Sequence, residues 1–295
     1  MKKIAFRFLR KIGWLKQLRI NPKIIVNNIE FTIPVINEVG FENYLSLSEP
    51  WMNHILQRLI GNSEYPKMFI DVGVNIGQTL IKVKSVSPTI NYVGFEPNPL
   101  CVNYVNSLIE VNKFMNTEII PVGIGDKSTV LKLKLFSDSD VDSAASIIDG
   151  FRDESTVIKT INVPIFKYSD IPMDNKLKIG IIKIDVEGAE LEVINGFKDR
   201  ILSDRPVMLV EILPAYQSDN LPRVSRQEKI QKLLHELDYN ILQIIKKDNE
   251  FISVQRISEF GIHGDLNLCE FILAPSELTE NITGAMLLQS KEPNA

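Results

Sequence analysis

The sequence predicts an α/β protein with a mostly parallel seven-stranded sheet flanked by helices, a β-hairpin insertion and an N-terminal helical extension. Three apolar segments carry this prediction, and each reads as a short buried strand that ends in glycine or acidic residues: 69–79, 92–97 and 179–190. The first and third continue into a helix, the order that is typical of parallel sheets. Because the carboxyl ends of parallel strands meet at one edge, we expect these residues to form a ligand site there.

The first segment is a strand, a glycine turn and the start of a helix. Gly73 suits a tight turn, Gly77 allows backbone to approach a ligand closely, and Asn75 tolerates an unusual backbone angle or caps the helix. Together these features indicate a nucleotide-type site. Asn75 and Gln78 stand where the G-x-G-x-x-G fingerprint has glycines, so an ordinary strand–helix turn is the alternative interpretation.

The second segment ends in an acid where nucleoside-binding folds place one. Glu96 follows Asp71 by 25 residues, close to the separation of about 20 residues at which an acid meets a ribose hydroxyl. A carboxylate suits that position because it accepts hydrogen bonds from both hydroxyls of a vicinal diol. The acid therefore favours nucleoside binding over an ordinary turn.

The other elements follow from apolar runs and their boundaries. Residues 20–66 predict a short hairpin and then a helix over 42–60, and the core strands and helices are expected at 68–72, 75–84, 92–96, 100–112, 118–122, 179–185, 206–212, 239–245 and 269–273, with a short helix that ends near Gly196. Ser225 and Glu228 predict a capping box for a helix whose apolar face lies in 230–237.

Residues 131–165 interrupt the core pattern. Apolar residues alternate with lysine over 131–135 and with polar residues over 161–165. A period of two is typical of half-exposed strands, so we expect these two segments to pair in antiparallel fashion. A polar loop over 137–146 lies between them.

Residues 71–77, 95–97 and 183–190 resemble, in this order, the three signature motifs of the FkbM family of S-adenosylmethionine-dependent methyltransferases. The resemblance covers about residues 67–215, and one departure is Val74, where the family usually has alanine. It implies the Rossmann-like class I fold, with six parallel strands and a reversed last strand. It also implies S-adenosyl-L-methionine as cofactor and methylation of a hydroxyl oxygen on a saccharide, glycan precursor or natural product.

The resemblance further implies roles for individual residues. Backbone N–H groups of the 73–77 turn would hold the methionine carboxylate, Asp71 would reach the ammonium directly or through water, and Glu96 would hold the ribose. Ile124 would flank adenine, and Asp126 would accept from the adenine amino group or act only as a turn residue. The cofactor-binding set expected on this basis is Asp71, Gly73, Asn75, Gly77, Thr79, Glu96, Ile124, Asp126, Ser143 and Asp185, with Ser146 as an alternative to Ser143.

Three residues are candidates for catalysis. Asp185 and Glu187 end the central strand, where one could deprotonate or orient the acceptor hydroxyl; alternatively, Asp185 holds the cofactor amine and Glu187 caps the next helix. His263 is the third candidate because a histidine titrates near neutrality, with a solvated loop histidine as the alternative. Glu211 ends the next strand and is a further option. Carboxylates at strand ends are common without a metal, and we expect none.

Composition and charge set the class and the compartment. The chain is 44% hydrophobic and 24% charged, as globular proteins are, and it has no run of about 18 apolar residues. Its two cysteines indicate a reducing, cytoplasmic environment. Residues 1–19 carry seven basic side chains and no acid, which predicts a short helix docked on the protein or a partner, with peripheral contact at the inner face of a membrane as the alternative.

We expect an N-terminal extension over 1–66, a methyltransferase domain over 67–275 and a loose tail over 276–295.

The expected partner is a small-molecule or saccharide acceptor. A net charge of −4 and the lack of an extended basic, aromatic patch argue against nucleic acid. Two other functions stay open at this point. One is a non-catalytic cofactor-binding or scaffold subunit of a glycan-assembly complex, and the other is a nicotinamide oxidoreductase, against which the missing third glycine argues.

Overall fold

A computed structural model of the chain describes residues 19–61, 68–152, 154–173 and 177–287. The predicted basic segment over 1–19 lies, except for Arg19, outside the described residues. Within the described ranges, no helix has both the length and the apolar character needed to cross a bilayer.

Strands and helices alternate along much of the chain. The strands are β1 (Arg19–Ile20), β2 (Lys23–Val26), β3 (Ile29–Thr32), β4 (Val35–Ile36), β5 (Met68–Val72), β6 (Asn91–Phe95), β7 (Thr117–Ile120), β8 (Gly123–Ile124), β9 (Thr129–Leu135), β10 (Lys159–Phe166), β11 (Ile181–Ile184), β12 (Val207–Glu211), β13 (Tyr239–Lys247), β14 (Glu250–Ile257) and β15 (Glu270–Pro275). The helices are α1 (Phe41–Leu45), α2 (Pro50–Gly61), α3 (Gln78–Val86), α4 (Pro99–Asn112), α5 (Glu190–Gly196), α6 (Lys198–Asp204), α7 (Leu221–Glu236) and α8 (Thr279–Leu287).

The main sheet has the strand order β14-β13-β15-β12-β11-β5-β6-β7. Strands β12, β11, β5, β6 and β7 pair in parallel, and β15 lies antiparallel between β12 and β13. Strand β13 is also antiparallel to β15 and so runs in the same direction as these five, which confirms the predicted six parallel strands and reversed last strand. The predicted total of seven is wrong, because β14 folds back antiparallel onto β13 as an eighth strand at the edge.

Helices cover both faces of this sheet, as the burial of both faces of its central strands requires. On one face, Phe69 and Leu209 belong to an apolar cluster with residues of α2, α3, α4 and α8. On the other face, Ile70 and Ile182 pack with residues of α5, α6 and α7. The strands between these two layers are buried along most of their length, so their carboxyl ends are held in fixed relative positions.

The N-terminal extension is built from a hairpin and two helices that pack on the first face. Strands β2 and β3 pair around a turn in which Asn27 and Asn28 both have positive φ, which confirms the predicted hairpin. The single helix predicted over 42–60 is wrong: the chain breaks into α1 and α2, with Glu49 in a left-handed conformation before Pro50. Proline restricts the residue before it, so a helix cannot run through this point.

Two further predictions fail at helix ends. The tail expected to be loose contains α8, whose buried Ile282 and Met286 pack into the first core and whose backbone oxygen at Ala285 accepts from Arg58 Nε at 2.9 Å. The capping box of Ser225 and Glu228 is also wrong. The N-cap of α7 is Asn220, five residues before Ser225, and its side chain accepts from the Arg223 amide.

The predicted antiparallel pairing in the insertion is confirmed. Strand β9 pairs with β10, with Leu133 opposite Ile161 and Leu131 opposite Val163. Strand β10 also pairs in parallel with β8, so the insertion continues directly from the end of β7. This attachment carries the apolar face of the insertion to the carboxyl edge of the main sheet.

Candidate functional site

The candidate site residues lie at or just after the carboxyl ends of neighbouring strands of the main sheet. In sheet order these residues are Glu211, Asp185, Gly73, Glu96 and Ile124, which end or follow β12, β11, β5, β6 and β7. All five line one cavity of about 340 Å³. A single cavity therefore lies at the edge where the ligand site is predicted, with an acidic end at Glu211 and Asp185 and an apolar end beyond Glu96.

The glycine turn after β5 brings backbone segments together. Gly73 has φ +90°, and a Cβ atom there would lie 1.9 Å from the carbonyl oxygen of Asp185. Gly77 has φ +76°, and its Cβ would lie 2.9 Å from Leu108 of α4. Gly73 thus allows the ends of β5 and β11 to meet beside the cavity. Gly77 does not line the cavity, so its predicted contact with a ligand is wrong; it serves helix packing.

We expect Gly73→Ala to destabilise the protein by about 1–3 kcal/mol from backbone strain, with the clash against Asp185 adding to it. Gly261→Ala is the matched control, since Gly261 has φ +76° but no neighbouring atom within 4 Å of the position that a Cβ would take. Urea unfolding of both variants would separate the two effects. Equal losses of unfolding free energy would show that the close approach to Asp185 has no energetic role.

The first turn of the predicted helix is not helical. Asn75 has φ +48°, and α3 begins only at Gln78, because residues with positive φ cannot continue a right-handed helix. The turn amides also have partners within the protein: Gly73 N donates to Phe95 O at 3.0 Å, and Asn75 N donates to Glu96 Oε2 at 2.8 Å. The prediction that these N–H groups point at a ligand carboxylate is therefore wrong. Thr79 is buried in α3 and does not line the cavity.

Glu96 is held in a fixed orientation at the middle of the cavity. Its Oε2 accepts from Asn75 N and its Oε1 accepts from Asn98 N, each at 2.8 Å. Burial raises the pKa of Glu96 to about 7, although both amides favour the ionised form. Each carboxylate oxygen keeps acceptor capacity, so this group can bind two neighbouring hydroxyls without rearrangement.

The apolar end of the cavity is formed largely by the insertion. Ile124 lies there as predicted, and four more apolar side chains line the same region: Leu133, Ala145, Ile147 and Ile165. Ser143 also lines the cavity, whereas the Ser146 hydroxyl donates to the backbone oxygen of Glu187 at 2.6 Å. Asp126 is exposed and outside the cavity, so its predicted contact with a base is wrong. The chain turns away from the sheet edge after Gly125 to start β9.

A buried charge network lies beneath the acidic end. Lys183 Nζ lies 2.9 Å from Asp185 Oδ2 and 3.9 Å from Asp71 Oδ1. Asp71 is fully buried, accepts from the Tyr92 hydroxyl and does not line the cavity, so it offers no direct contact with a ligand there. Side chains alternate along β5, so Asp71 lies on the same face as Phe69, the face covered by α3. Burial raises the pKa of Asp71 to about 6, with Lys183 opposing.

Asp185 and Glu211 form a carboxyl pair with unequal proton affinities. Burial works against ionisation of Asp185, but the Lys183 ammonium outweighs it and holds the pKa of Asp185 below its usual range. Burial and the charge of Asp185 raise the pKa of Glu211 to about 9. Glu211 is therefore protonated at neutral pH and hydrogen-bonds to ionised Asp185.

Glu187 points into the cavity from a strained position. It has φ +51°, and its Oε2 lies 2.6 Å from Arg152 of the insertion. Burial and then the charge of Asp185 raise its pKa, which Arg152 only partly offsets. The alternative role as a helix cap is wrong, because Gly188 N donates to Glu190 and Glu187 pairs with Arg152 instead.

His263 is not brought to the cavity. It lies in the connection between β14 and β15, where Ile262 forms a bridge with Ala215. It is half-buried and does not line the cavity, so its catalytic role stays a prediction. Strand β14 runs antiparallel to β13 and takes the chain back to the amino end of the sheet. The connection between β14 and β15, which includes His263, then returns the chain to the carboxyl end.

The structure adds cavity residues that the sequence motifs did not include. Glu49 and Ser48 come from the break between α1 and α2, and Asn98, Cys101 and Asp142 come from the segments after β6 and in the insertion. Glu49 is oriented by Lys82 of α3, 3.2 Å away. No local pattern marks Glu49, because it reaches the site only when the extension packs on the sheet.

The cavity has a strong excess of negative charge. Among the described residues that line it, six carry a carboxyl group and none is basic: Glu49, Glu96, Asp142, Asp185, Glu187 and Glu211. Lysine and arginine contact some of these acids only from behind the cavity wall. Such a surface favours a ligand with net positive charge.

Comparison with known proteins identifies the family. The model of the methyltransferase FkbM domain matches residues 71–248, which is more than half of the chain. The chain belongs to the FkbM methyltransferase family. The resemblance inferred from the three motifs is thereby confirmed.

Individual relatives of this FkbM protein are distant. Methyltransferase 1 of Beauveria bassiana (strain ARSEF 2860) is 23% identical over 144 residues, which cover 44% of this chain and 58% of the relative. Methyltransferase sdnD of Sordaria araneosa is 24% identical over 164 residues, 46% of this chain and 62% of the relative. The matched segments thus span about three-fifths of these curated relatives. A crystal structure of an FkbM methyltransferase from Methylobacillus flagellatus KT has 17% identity and a TM-score of 0.43, and covers 78% of this chain and 50% of that one.

S-adenosylmethionine is the cofactor of this family, and the cavity fits it in three respects. Glu96 presents an oriented carboxylate for the ribose diol. The apolar end around Ile124 offers a surface for adenine. The acidic end complements a ligand with a sulfonium and an ammonium group.

Proposed function

We propose that this FkbM protein transfers the methyl group of S-adenosylmethionine to a hydroxyl oxygen of a saccharide, a glycan precursor or a natural product. The observation that carries the proposal is the set of carboxyl groups of Asp185, Glu187 and Glu211 at the end of a cavity that suits this cofactor. The cofactor supplies an activated methyl carbon, so the protein has to orient the acceptor and take up its proton.

The cofactor would lie along the sheet edge in the order of its contacts. Glu96 would hold the ribose, and Ile124 with the insertion would enclose adenine. The methionine part would then lie over Gly73, where ionised Asp185 can attract its ammonium group. The neutral carboxyl of Glu211 donates to Asp185 and keeps that carboxylate in place.

Glu187 is the best-placed base of this group. Its pKa is raised while that of Asp185 is lowered, and a stronger base accepts a proton more readily from an alcohol as the methyl group is transferred. Arg152 holds one oxygen of Glu187 and leaves the other free for the acceptor hydroxyl. We therefore assign proton uptake to Glu187 and cofactor contact to Asp185.

Calorimetric titration with S-adenosylmethionine, S-adenosylhomocysteine and NADH tests the proposal. We expect both sulfur nucleosides to bind and NADH not to bind. Glu96→Ala should raise the Kd for both by about 10²-fold, since hydrogen bonds to a charged group contribute about 1.5–3 kcal/mol.

Glu110→Ala is the matched control, because Glu110 is an exposed glutamate on α4 outside the cavity. Thermal unfolding of both variants shows whether any loss of binding reflects a loss of structure. If the wild-type protein binds neither sulfur nucleoside, the proposed function is wrong. Unchanged affinity in a folded Glu96→Ala variant would remove Glu96 from the site.

A further inference from the structure

A second concave surface lies beside the cofactor cavity, on the other side of Glu187. We call it the aromatic groove. It is an open depression of about 530 Å³, lined mainly by Phe136, Phe151, Arg152, Tyr216, Asn220 and Arg223. The insertion contributes one side, and the segment between β12 and α7 contributes the other.

The wall between the groove and the cofactor cavity is thin. Arg152 lines the groove, and its guanidinium donates to Glu187 Oε2 at 2.6 Å, while Glu187 lines the cavity. The Phe151 ring lies against Gly188, where a Cβ atom would come within 2.6 Å of it. Arg152, which lines the groove, is thus in direct contact with the proposed base.

The groove combines aromatic faces with positive charge. The Arg223 guanidinium lies 4.4 Å from the ring centre of Phe151 and 5.2 Å from that of Tyr216. It donates to the backbone oxygens of Pro214 and Phe151, which leaves further N–H groups and its charge available. The Tyr216 side chain is 45% exposed. Ring faces beside guanidinium groups suit a ligand that has both a ring and an anionic group.

The two neighbouring surfaces have opposite charge. Six carboxyl groups line the cofactor cavity, whereas the aromatic groove presents Arg223 and the Glu187-paired Arg152, with no acid among its described lining residues. An anionic acceptor would be repelled by the cavity and attracted by the groove, so that only its reacting hydroxyl needs to reach Glu187. We propose that the aromatic groove is the acceptor site and that the acceptor is a saccharide with a phosphate or carboxylate group. This inference rests on the proposed methyl transfer.

Ligand-observed NMR on the full chain, saturated with S-adenosylhomocysteine, tests the inference with three probes: glucose 6-phosphate, glucuronate and glucose. We expect at least one of the two anionic probes to bind and neutral glucose to have a Kd about tenfold higher or more, since charge-assisted hydrogen bonds are the stronger ones. The phosphate and carboxylate probes distinguish the two sources of the anion.

Tyr216→Ala and Arg223→Gln should each weaken binding of the anionic probe by about tenfold, the size of one good contact. Leu202→Ala is the control for removal of an exposed apolar side chain, and Lys229→Gln is the control for loss of one positive charge on α7. We expect both controls to bind the probe as the wild-type protein does. Calorimetry with S-adenosylhomocysteine verifies that each variant keeps a folded cofactor site.

The outcomes separate the two proposals. If S-adenosylhomocysteine binds but neither anionic probe does, or if glucose binds equally well, the inference about the groove is wrong and the proposed function stands. Binding of the anion that survives both groove substitutions also contradicts the inference. If S-adenosylhomocysteine itself does not bind, the proposed function fails.

Discussion

Glu187→Gln is expected to lower kcat for methyl transfer by about 10²–10⁴, the usual contribution of a positioned acid or base. The substitution keeps the size of the side chain and removes its ability to accept a proton. Because Asp185, Glu96 and the apolar end of the cavity are unchanged, the Kd for S-adenosylmethionine should change much less than kcat. The measurement is single-turnover transfer of a labelled methyl group to the acceptor that the wild-type protein methylates.

The pH dependence gives a second readout for Glu187. A base must be ionised to act, so kcat should rise with pH through the pKa of Glu187, which burial raises above its usual value. This rising limb should disappear in Glu187→Gln. Glu192→Gln is the matched control, since Glu192 forms an equivalent ion pair with Arg226 but does not line the cavity. A variant at 187 that keeps its kcat would exclude Glu187 as the base.

Lys183→Met is expected to lower the free energy of unfolding by about 3–5 kcal/mol, the cost of removing one partner from a buried ion pair. Its side chain is 6% exposed and lies between Asp71 and Asp185, whose charges raise its pKa although burial works against them. Methionine fills a similar volume and leaves both carboxylates without their cation. Urea unfolding of both proteins measures the difference.

The loss should depend on pH in a defined direction. The folded-state pKa of Asp71 is already about 6, above its usual value, so its ionised form costs stability as pH rises through that value. Without Lys183 this pKa rises further, and the deficit of the variant should be larger at pH 8 than at pH 5. Adding Asp71→Asn should recover part of the loss.

A surface ion pair provides the control for Lys183. Lys159 pairs with Asp140 at 2.7 Å, but both side chains are about half exposed. Lys159→Met should therefore change the free energy of unfolding by less than about 1 kcal/mol. If Lys183→Met has an equally small effect at pH 8, the network around Asp71 does not stabilise the fold.

The carboxyl groups of the site differ in their affinity for protons. Buried lysines behind the wall keep Asp185 ionised, while Glu211 stays neutral and Glu187 has an intermediate affinity for protons. Different proton affinities within one cluster allow one carboxyl to hold a cation and another to take up a proton. This division is why we assign different roles to Asp185 and Glu187.

Short segments of the sequence determined the frame of this protein. The apolar strands that end at Gly73, Glu96 and Asp185 each carry their signal within a dozen residues, because burial on both faces of a parallel sheet demands continuous apolar runs. The order of strands and helices then places these ends at one edge. Hence the α/β fold, the position of the site and the family followed from local patterns and motifs.

The sequence alone misplaced residues whose position depends on side-chain direction or on distant packing. Asp71 lies within the first motif and Thr79 two residues after it, but strand alternation and helix phase bury both side chains away from the cavity. His263 and Asp126 lie in connections whose paths follow from β14 and β9, and neither lines the cavity. The direction of a side chain cannot be inferred from membership of a motif.

Tertiary structure alone decided which residues complete the site and how their charges are balanced. Glu49 reaches the cavity from the N-terminal extension, and Arg152 reaches Glu187 from the insertion, 35 residues earlier in the chain. The raised pKa of Glu211 and the lowered pKa of Asp185 exist only because folding buries them together beside Lys183. Electrostatic coupling depends on distance and burial in three dimensions, which no local pattern of residues encodes.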